Sequence, residues 1–160
     1  MTDKDHEVPG VPQPRDLEVL GVVPLLEAYF RRAPSEMPHD LATLFAGQGL
    51  TARHGAVLAQ LSASRCISVT DLARRMKVSL STASELVGEL SRAGLVERRE
   101  DPGNRRRTLV DLAEAHRDTV RGFVAQRAAP LLKVLDGLSP RDQEGFARGL
   151  AAWAREVRNW

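Results

Sequence analysis

From Arg15 onward apolar residues return every three or four positions, the spacing of helices that bury one face. Leu17, Leu20, Pro24, Leu25, Ala28 and Tyr29 form a first stripe, predicted to stop before Pro34, where a helix loses a backbone donor. A shorter helix is predicted to start at 38–40 and to run through Leu41, Leu44 and Phe45 to the break at Gly47 and Gly49. Leu50, Val57, Leu58 and Leu61 then repeat the helical spacing, with Thr51 placed to cap the helix start. Towards the end, Val120, Phe123, Val124, Leu131, Val134, Leu135 and Leu138 suit one long helix kinked near Pro130. Ser139 and Pro140 start a last helix whose stripe is Phe146, Leu150, Trp153 and Val157.

The middle of the chain departs from this rhythm. "VTDLARRM" predicts a very short helix with Thr70 as N-cap and Leu72, Ala73 and Met76 turned inward. After a turn at 77–79, "LSTASELVGELSRA" predicts a second helix that buries Ala83, Leu86, Val87 and Leu90 and stops at a left-handed Gly94. Two short helices across a tight turn make a helix-turn-helix. "LVERRE" and "RRRTLVDL" then alternate as strands about the turn "DPGN", which predicts a hairpin, or wing. The predicted fold is mostly α with a small β-hairpin wing. A winged helix-turn-helix over 50–112 is flanked by helices over 15–49 and 113–160, all in one domain over 15–160. Residues 1–14 carry Pro9, Gly10, Pro12 and Pro14 among charges, so they are predicted to be a loose arm that buries too little to offset the entropy of ordering.

Composition narrows the classes. A chain of 160 residues suits one domain that hides roughly 70% of its unfolded surface. Its 42% hydrophobic and 28% charged residues are ordinary for a globular protein. Only 4% of residues are aromatic, which leaves little material for the stacking platforms of RNA and single-strand binders. The lone Cys66 cannot close an internal disulfide, and "MTDKDHEV" lacks the basic and apolar regions of a secretory signal. No apolar run approaches the ~18 residues that cross a bilayer. A cytoplasmic protein without a membrane partner is therefore expected.

Charge is where placement matters. With 23 Lys and Arg against 21 Asp and Glu the net charge is only +2, so an anion site must come from local arrangement. "REDPGNRRRTLVDL" gathers four arginines about one turn. A helix carried beyond a short supporting helix can enter the major groove of a duplex and bring its first residues to base edges. Here those are Ser79, Ser81, Thr82, Ser84 and Glu85: hydroxyls that bond phosphates or bases, and a carboxylate able to accept from cytosine N4. The same residues also suit plain capping, with Glu85 bonding back towards Thr82 in a capping box. In the hairpin, Arg105 and Arg106 at the tip, with Arg98, Arg99, Asn104 and Arg107 beside them, suit the negative potential of a minor groove or of phosphates. The competing reading is a solvated hairpin whose arginines pair with Glu97, Glu100 and Asp101. A hairpin so charged, directly after a helix-turn-helix, favours double-stranded DNA as partner.

Over 50–116 the chain resembles the multiple-antibiotic-resistance regulator (MarR) family of winged-helix transcription factors. "LTARHGAVLAQL" is similar to the helix before the family's reading unit, "TDLARRMKVSLSTASELVGELSRAGLVERR" to the reading unit, and "DPGNRRRTLVDLAEAH" to the wing and its exit. Asn104 stands where the family usually has the Asp of an Asp-Arg-Arg wing motif. Ala113 and His116 replace the usual Thr and Gly after the wing, Glu85 a frequent Arg, and His54 a frequent Gln. The resemblance implies a homodimer with interlocked terminal helices, acting as a ligand-responsive repressor on a pseudo-palindromic operator. It also implies a small aromatic or anionic effector, bound between the dimer layer and the winged helix. Leu17, Leu20, Phe123, Leu131, Leu135, Phe146, Leu150, Trp153 and Val157 are the candidate dimer residues, because helices at both chain ends with no sheet to cover them favour a partner. The alternative is a winged helix for protein contact or DNA architecture without effector response, which would have no sequence preference.

Other signals point to ordinary structure. "GQGLTA" matches a dinucleotide Gly-x-Gly-x-x-Ala pattern but follows a helix rather than a strand, so it reads as an interhelix turn and no cofactor is expected. His39, His54 and His116 lack metal-ligand spacing, so no metal is expected either. No nucleophile–base pair or phosphate loop suggests an enzyme. Cys66 precedes the short apolar strand "ISV", where a buried thiol is inert, against a competing reading as an oxidant sensor.

Overall fold

The computed structural model describes residues 10–159. Its contacts divide the chain into two compact units, Met1–Met37 and Pro38–Trp160. In the first unit, α1 (Pro14–Leu20) and α2 (Val23–Glu36) replace the single helix expected there. Pro24 explains the break: it has no N–H to bond back, and its ring crowds the carbonyl four residues earlier, so it is accommodated in the opening turn of a new helix. α2 does not stop before Pro34 but runs through it to Glu36. In a last turn the proline removes only one bond, and Ser35 Oγ donates to the Arg32 carbonyl at 2.8 Å beside it. Of the predicted loose arm, residues 1–9 lie outside the described residues, and Pro14 already opens α1. Neither helix buries a residue; Leu17, Leu20, Leu25 and Phe30 are all exposed.

The second unit contains α3 (His39–Gly47), α4 (Ala52–Ala63), β1 (Ile67–Ser68), α5 (Val69–Met76), α6 (Leu80–Arg92), β2 (Val96–Asp101), β3 (Asn104–Leu112), α7 (Arg117–Asp136) and α8 (Pro140–Asn159). A single 3-10 turn at Glu114–His116 leads into α7. The core is built from the faces that the periodicity predicts. Val57, Leu58 and Leu61 of α4, Leu72 and Ala73 of α5, and Ala83, Leu86, Val87 and Leu90 of α6 are buried against Leu95, Val96, Val110 and Leu112 of the sheet and its approach and against Val120 of α7. The sheet has the order β1-β3-β2, all antiparallel, so the hairpin is joined by a third strand through Ile67↔Val110 and Ser68↔Leu109. The "ISV" strand is one residue shorter than read, because Val69 already starts α5.

Both helices of the helix-turn-helix end in the same way. Lys77 (φ 54°) and Gly94 (φ 74°) take the left-handed conformation, and the residues after them, Val78 and Leu95, donate back to the carbonyls of Ala73 at 3.1 Å and Leu90 at 3.0 Å. At α5 the expected cap is corrected. Ser68, not Thr70, is the N-cap, its Oγ accepting the Asp71 N–H at 3.0 Å. Gly49 (φ 64°) turns the chain between α3 and α4, so "GQGLTA" is an interhelix turn.

His54 joins α4 to α6. Its Nδ1 accepts the Thr51 N–H at 2.9 Å, which places the proton on Nε2, and Nε2 donates to Glu89 at 2.6 Å. Because the imidazole is buried, removing it strands a helix-start N–H. His54→Ala is expected to lower unfolding free energy by about 1–3 kcal/mol, read by urea denaturation; an unchanged midpoint would contradict this role.

Candidate nucleic-acid interface

α6 is held by its apolar face, and that leaves its opening turn outside. Ser79, Ser81, Ser84 and Glu85 are exposed and Thr82 is half-buried. The cap is Ser79, whose Oγ accepts the Thr82 N–H at 3.1 Å and lies 2.9 Å from Ser81 Oγ and 2.8 Å from Thr82 Oγ1. A Glu85–Thr82 capping box is therefore not formed, and the Glu85 carboxylate extends into solvent. One apolar side chain joins this turn: Leu80 is 54% exposed at the first helical position. The hydrophobic pattern gives no reason to single it out, since a lone exposed leucine is common.

A cleft of about 480 Å³ opens beside the turn, lined by Arg53 of α4, Met76, Lys77, Val78, Ser79 and Thr82 among others. It sets two cations against hydroxyls. Arg53 reaches this turn only through the packing of α4, which its place in the sequence did not suggest, whereas Lys77 lies in the turn itself.

In the wing the strands pair regularly from Val96↔Leu112 to Glu100↔Thr108, and then the register shifts to Asp101↔Asn104. Arg105, Arg106 and Arg107 are the residues left over, bulged out of register. Asn104 holds the bulge: its Oδ1 accepts the Arg106 N–H at 3.1 Å, while Asp101 Oδ1 accepts the Gly103 N–H at 2.9 Å.

The arginines then divide. Arg98, Arg105 and Arg106 are exposed and make no ion pair among the described residues, so of the competing reading, in which Glu97, Glu100 and Asp101 neutralise the arginines, only the Arg107–Asp101 contact forms. Arg107 is engaged: its Nη2 donates to Asp71 Oδ2 at 2.8 Å and to Ser68 Oγ at 3.1 Å, and its Nη1 lies 3.8 Å from Asp101. Asp71 also accepts from Arg74 at 2.7 Å. The Ser68 hydroxyl first, against partial desolvation, and then the Arg74 and Arg107 guanidiniums hold the Asp71 carboxyl below the usual carboxylate range. The group is thus charged at neutral pH, and its ion pairs are lost only as pH falls through that lowered value. "SVTD" at 68–71 is a Ser-x-x-Asp capping pattern, the signal that could have revealed Ser68 and Asp71.

Arg99 donates to Cys66 Sγ at 3.2 Å. The thiol stands directly before β1, as expected, at a left-handed residue (φ 56°), but it is half-buried rather than buried. Among the described residues no three His, Cys, Asp or Glu side chains cluster as metal ligands. No helix among them is long and apolar enough to cross a membrane.

This geometry has counterparts among known proteins. The model of the MarR family matches residues 48–107, from the α3–α4 turn to the arginine bulge. Over these residues the chain is similar to the MarR family. A relative from Bacillus subtilis, the uncharacterized HTH-type transcriptional regulator YfiV, is 30% identical over 103 residues, 64% of each chain. The match thus spans just under two thirds of that relative. The HTH-type transcriptional repressor YetL, also from Bacillus subtilis, is 26% identical over 117 residues, 72% of this chain and 70% of YetL. Among solved structures AbsC, a MarR family transcriptional regulator from Streptomyces coelicolor, is 20% identical with a TM-score of 0.59, over 96% of this chain and all of the other. That likeness concerns the fold.

Proposed function

We propose that this chain is a transcriptional regulator of the MarR family that binds double-stranded DNA as a homodimer. α6 enters the major groove with Ser79, Ser81, Thr82, Ser84 and Glu85 leading, and the wing lies along the backbone or minor groove. The observation that carries the reading is the three-arginine bulge, with the Arg105 and Arg106 guanidiniums making no ion pair among the described residues, directly after a helix-turn-helix whose opening turn is exposed. Two adjacent unpaired guanidiniums repel each other, and phosphate relieves that repulsion. Arg98, Arg53 and Lys77 are placed to add backbone contacts, and Leu80 can meet a thymine methyl.

The dimer is supported by apolar surface that the single chain leaves wet. Leu131, Phe146, Leu150, Trp153 and Val157 are exposed in α7 and α8, as are Leu17 and Leu20 in α1. Leu135 and Phe123 are half-buried. Two copies related by a two-fold axis would set their reading helices about 34–36 Å apart, so the operator is a pseudo-palindrome. Repression is proposed by analogy with the relative YetL, and control by a small aromatic or anionic effector by the resemblance to the MarR family. Such an effector must bind two dimer states unequally, with a coupling of roughly 1–3 kcal/mol.

The test measures affinity for a selected palindromic duplex and for random duplex at several salt concentrations. Arg106→Ala is expected to weaken both and to lower the log–log salt slope by about 1. Ser81→Ala and Thr82→Ala are expected to cost about 1–3 kcal/mol on the selected duplex and little on random DNA. Equal losses on both duplexes, with an unchanged slope for Arg106→Ala, would favour the architectural alternative and overturn this placement.

A further inference from the structure

Arg107 differs from its two neighbours in the bulge. Where Arg105 and Arg106 are free, the Arg107 guanidinium meets three elements: Ser68 at the end of β1, Asp71 in the first turn of α5, and Asp101 at the end of β2. Ser68 Oγ is the hub. It donates to Asp71 Oδ2 at 2.7 Å and accepts from both the Asp71 N–H and Arg107 Nη2. The side chain that fixes the wing thus bonds to the residues that cap the supporting helix. Arg107 is 45% exposed and Asp71 29%, so the contact is partly shielded from solvent. Two charge-assisted bonds from one Nη2 also constrain its direction.

We propose that Arg107, although part of the arginine run, is a positioning residue: with Asp71 and Ser68 it clamps the wing to the helix-turn-helix. Arg105 and Arg106 are thereby aimed at the DNA backbone in a fixed relation to α6. This deepens the DNA-binding reading and rests on it for its functional arm only. The clamp has a consequence opposite in sign to plain electrostatics. Asp71 repels phosphate and partly neutralises Arg74 and Arg107, so removing it makes the surface more cationic. Without a clamp, that change tightens DNA binding. With one, the wing loosens and binding weakens.

The experiment is a double-mutant cycle of Asp71→Ala and Arg107→Ala in the full chain, with two readouts. The first is affinity for the selected duplex. Each single variant is expected to weaken binding about three- to tenfold, and the double variant no more than Arg107→Ala alone, since the two residues act as one unit. The second, without DNA, is amide exchange. Amides from Glu100 to Thr108 are expected to exchange about tenfold faster in either single variant and no faster in the double, while those of α6 and α7 stay unchanged. If Asp71→Ala also speeds exchange within α5, Asp71→Asn, which keeps an oxygen for Ser68, replaces it in the cycle.

Tighter binding by the Asp71 variant, or losses that simply add, overturns the clamp and makes Arg107 another phosphate contact. Unchanged exchange in the wing overturns it as well. If the unaltered protein binds no duplex at all, the DNA reading fails by itself, and the exchange cycle alone decides the clamp.

Discussion

Leu150→Asp with Trp153→Asp is expected to give a protein whose light-scattering mass equals the 17.6 kDa of one chain, where the parent gives twice that. The two side chains are 47% and 49% exposed on α8 and share its apolar stripe with Phe146 and Val157. A helix that carries such a stripe on its outer side leaves it in water unless a second copy covers it. Buried in a dimer, two carboxylates per copy would face apolar neighbours without partners, which association cannot offset. Affinity for a palindromic duplex should fall by about 10²–10⁴, because the second half-site is no longer engaged at high effective concentration. Binding to a single half-site should persist, since α6 and the wing are untouched. A parent protein that is monomeric at micromolar concentration, or a variant that keeps full affinity for the palindrome, would refute the interlocked dimer.

The second large effect is expected in the supporting helix. Leu72 is fully buried, and α5 has only eight residues, too few to be helical in isolation. Its place depends on Val69, Leu72 and Ala73 packing beneath α6 and β3. Leu72→Ala should lower unfolding free energy by about 2–5 kcal/mol, read by urea denaturation. DNA affinity should fall at temperatures where the protein is still largely folded, because α5 frees both the α6 turn and the Asp71 end of the wing clamp before the core melts. Thr70→Ala, two residues away, exposed and not the cap, is expected to change stability by less than about 0.5 kcal/mol. Equal losses for the two variants would remove α5 as a support held by packing.

What the chain determines by itself is local and periodic. The inward faces of α4, α5 and α6, the left-handed stop at Gly94, and the hairpin about Pro102 and Gly103 all follow from spacing and from residues with few conformational choices. The exposure of Ser79, Ser81, Ser84 and Glu85 was legible for the same reason: once one face of α6 is buried, its opposite face is settled. Other features depended on contacts between residues far apart in sequence. Both Thr70 and the Ser-x-x-Asp pattern at 68–71 offer a cap for α5, and Ser68 takes the role where β1, paired with β3, ends directly before the helix. Similar ambiguity surrounds the prolines, since Pro24 opens a new helix whereas Pro34 lies within one. The arginines make the point most directly. In sequence Arg105, Arg106 and Arg107 are equivalent members of one run. Only the bulge, and the approach of Asp71 from 36 residues away, separates two free charges from one that is internally bonded. Charge partners are set by three-dimensional proximity, which periodicity along the chain does not encode.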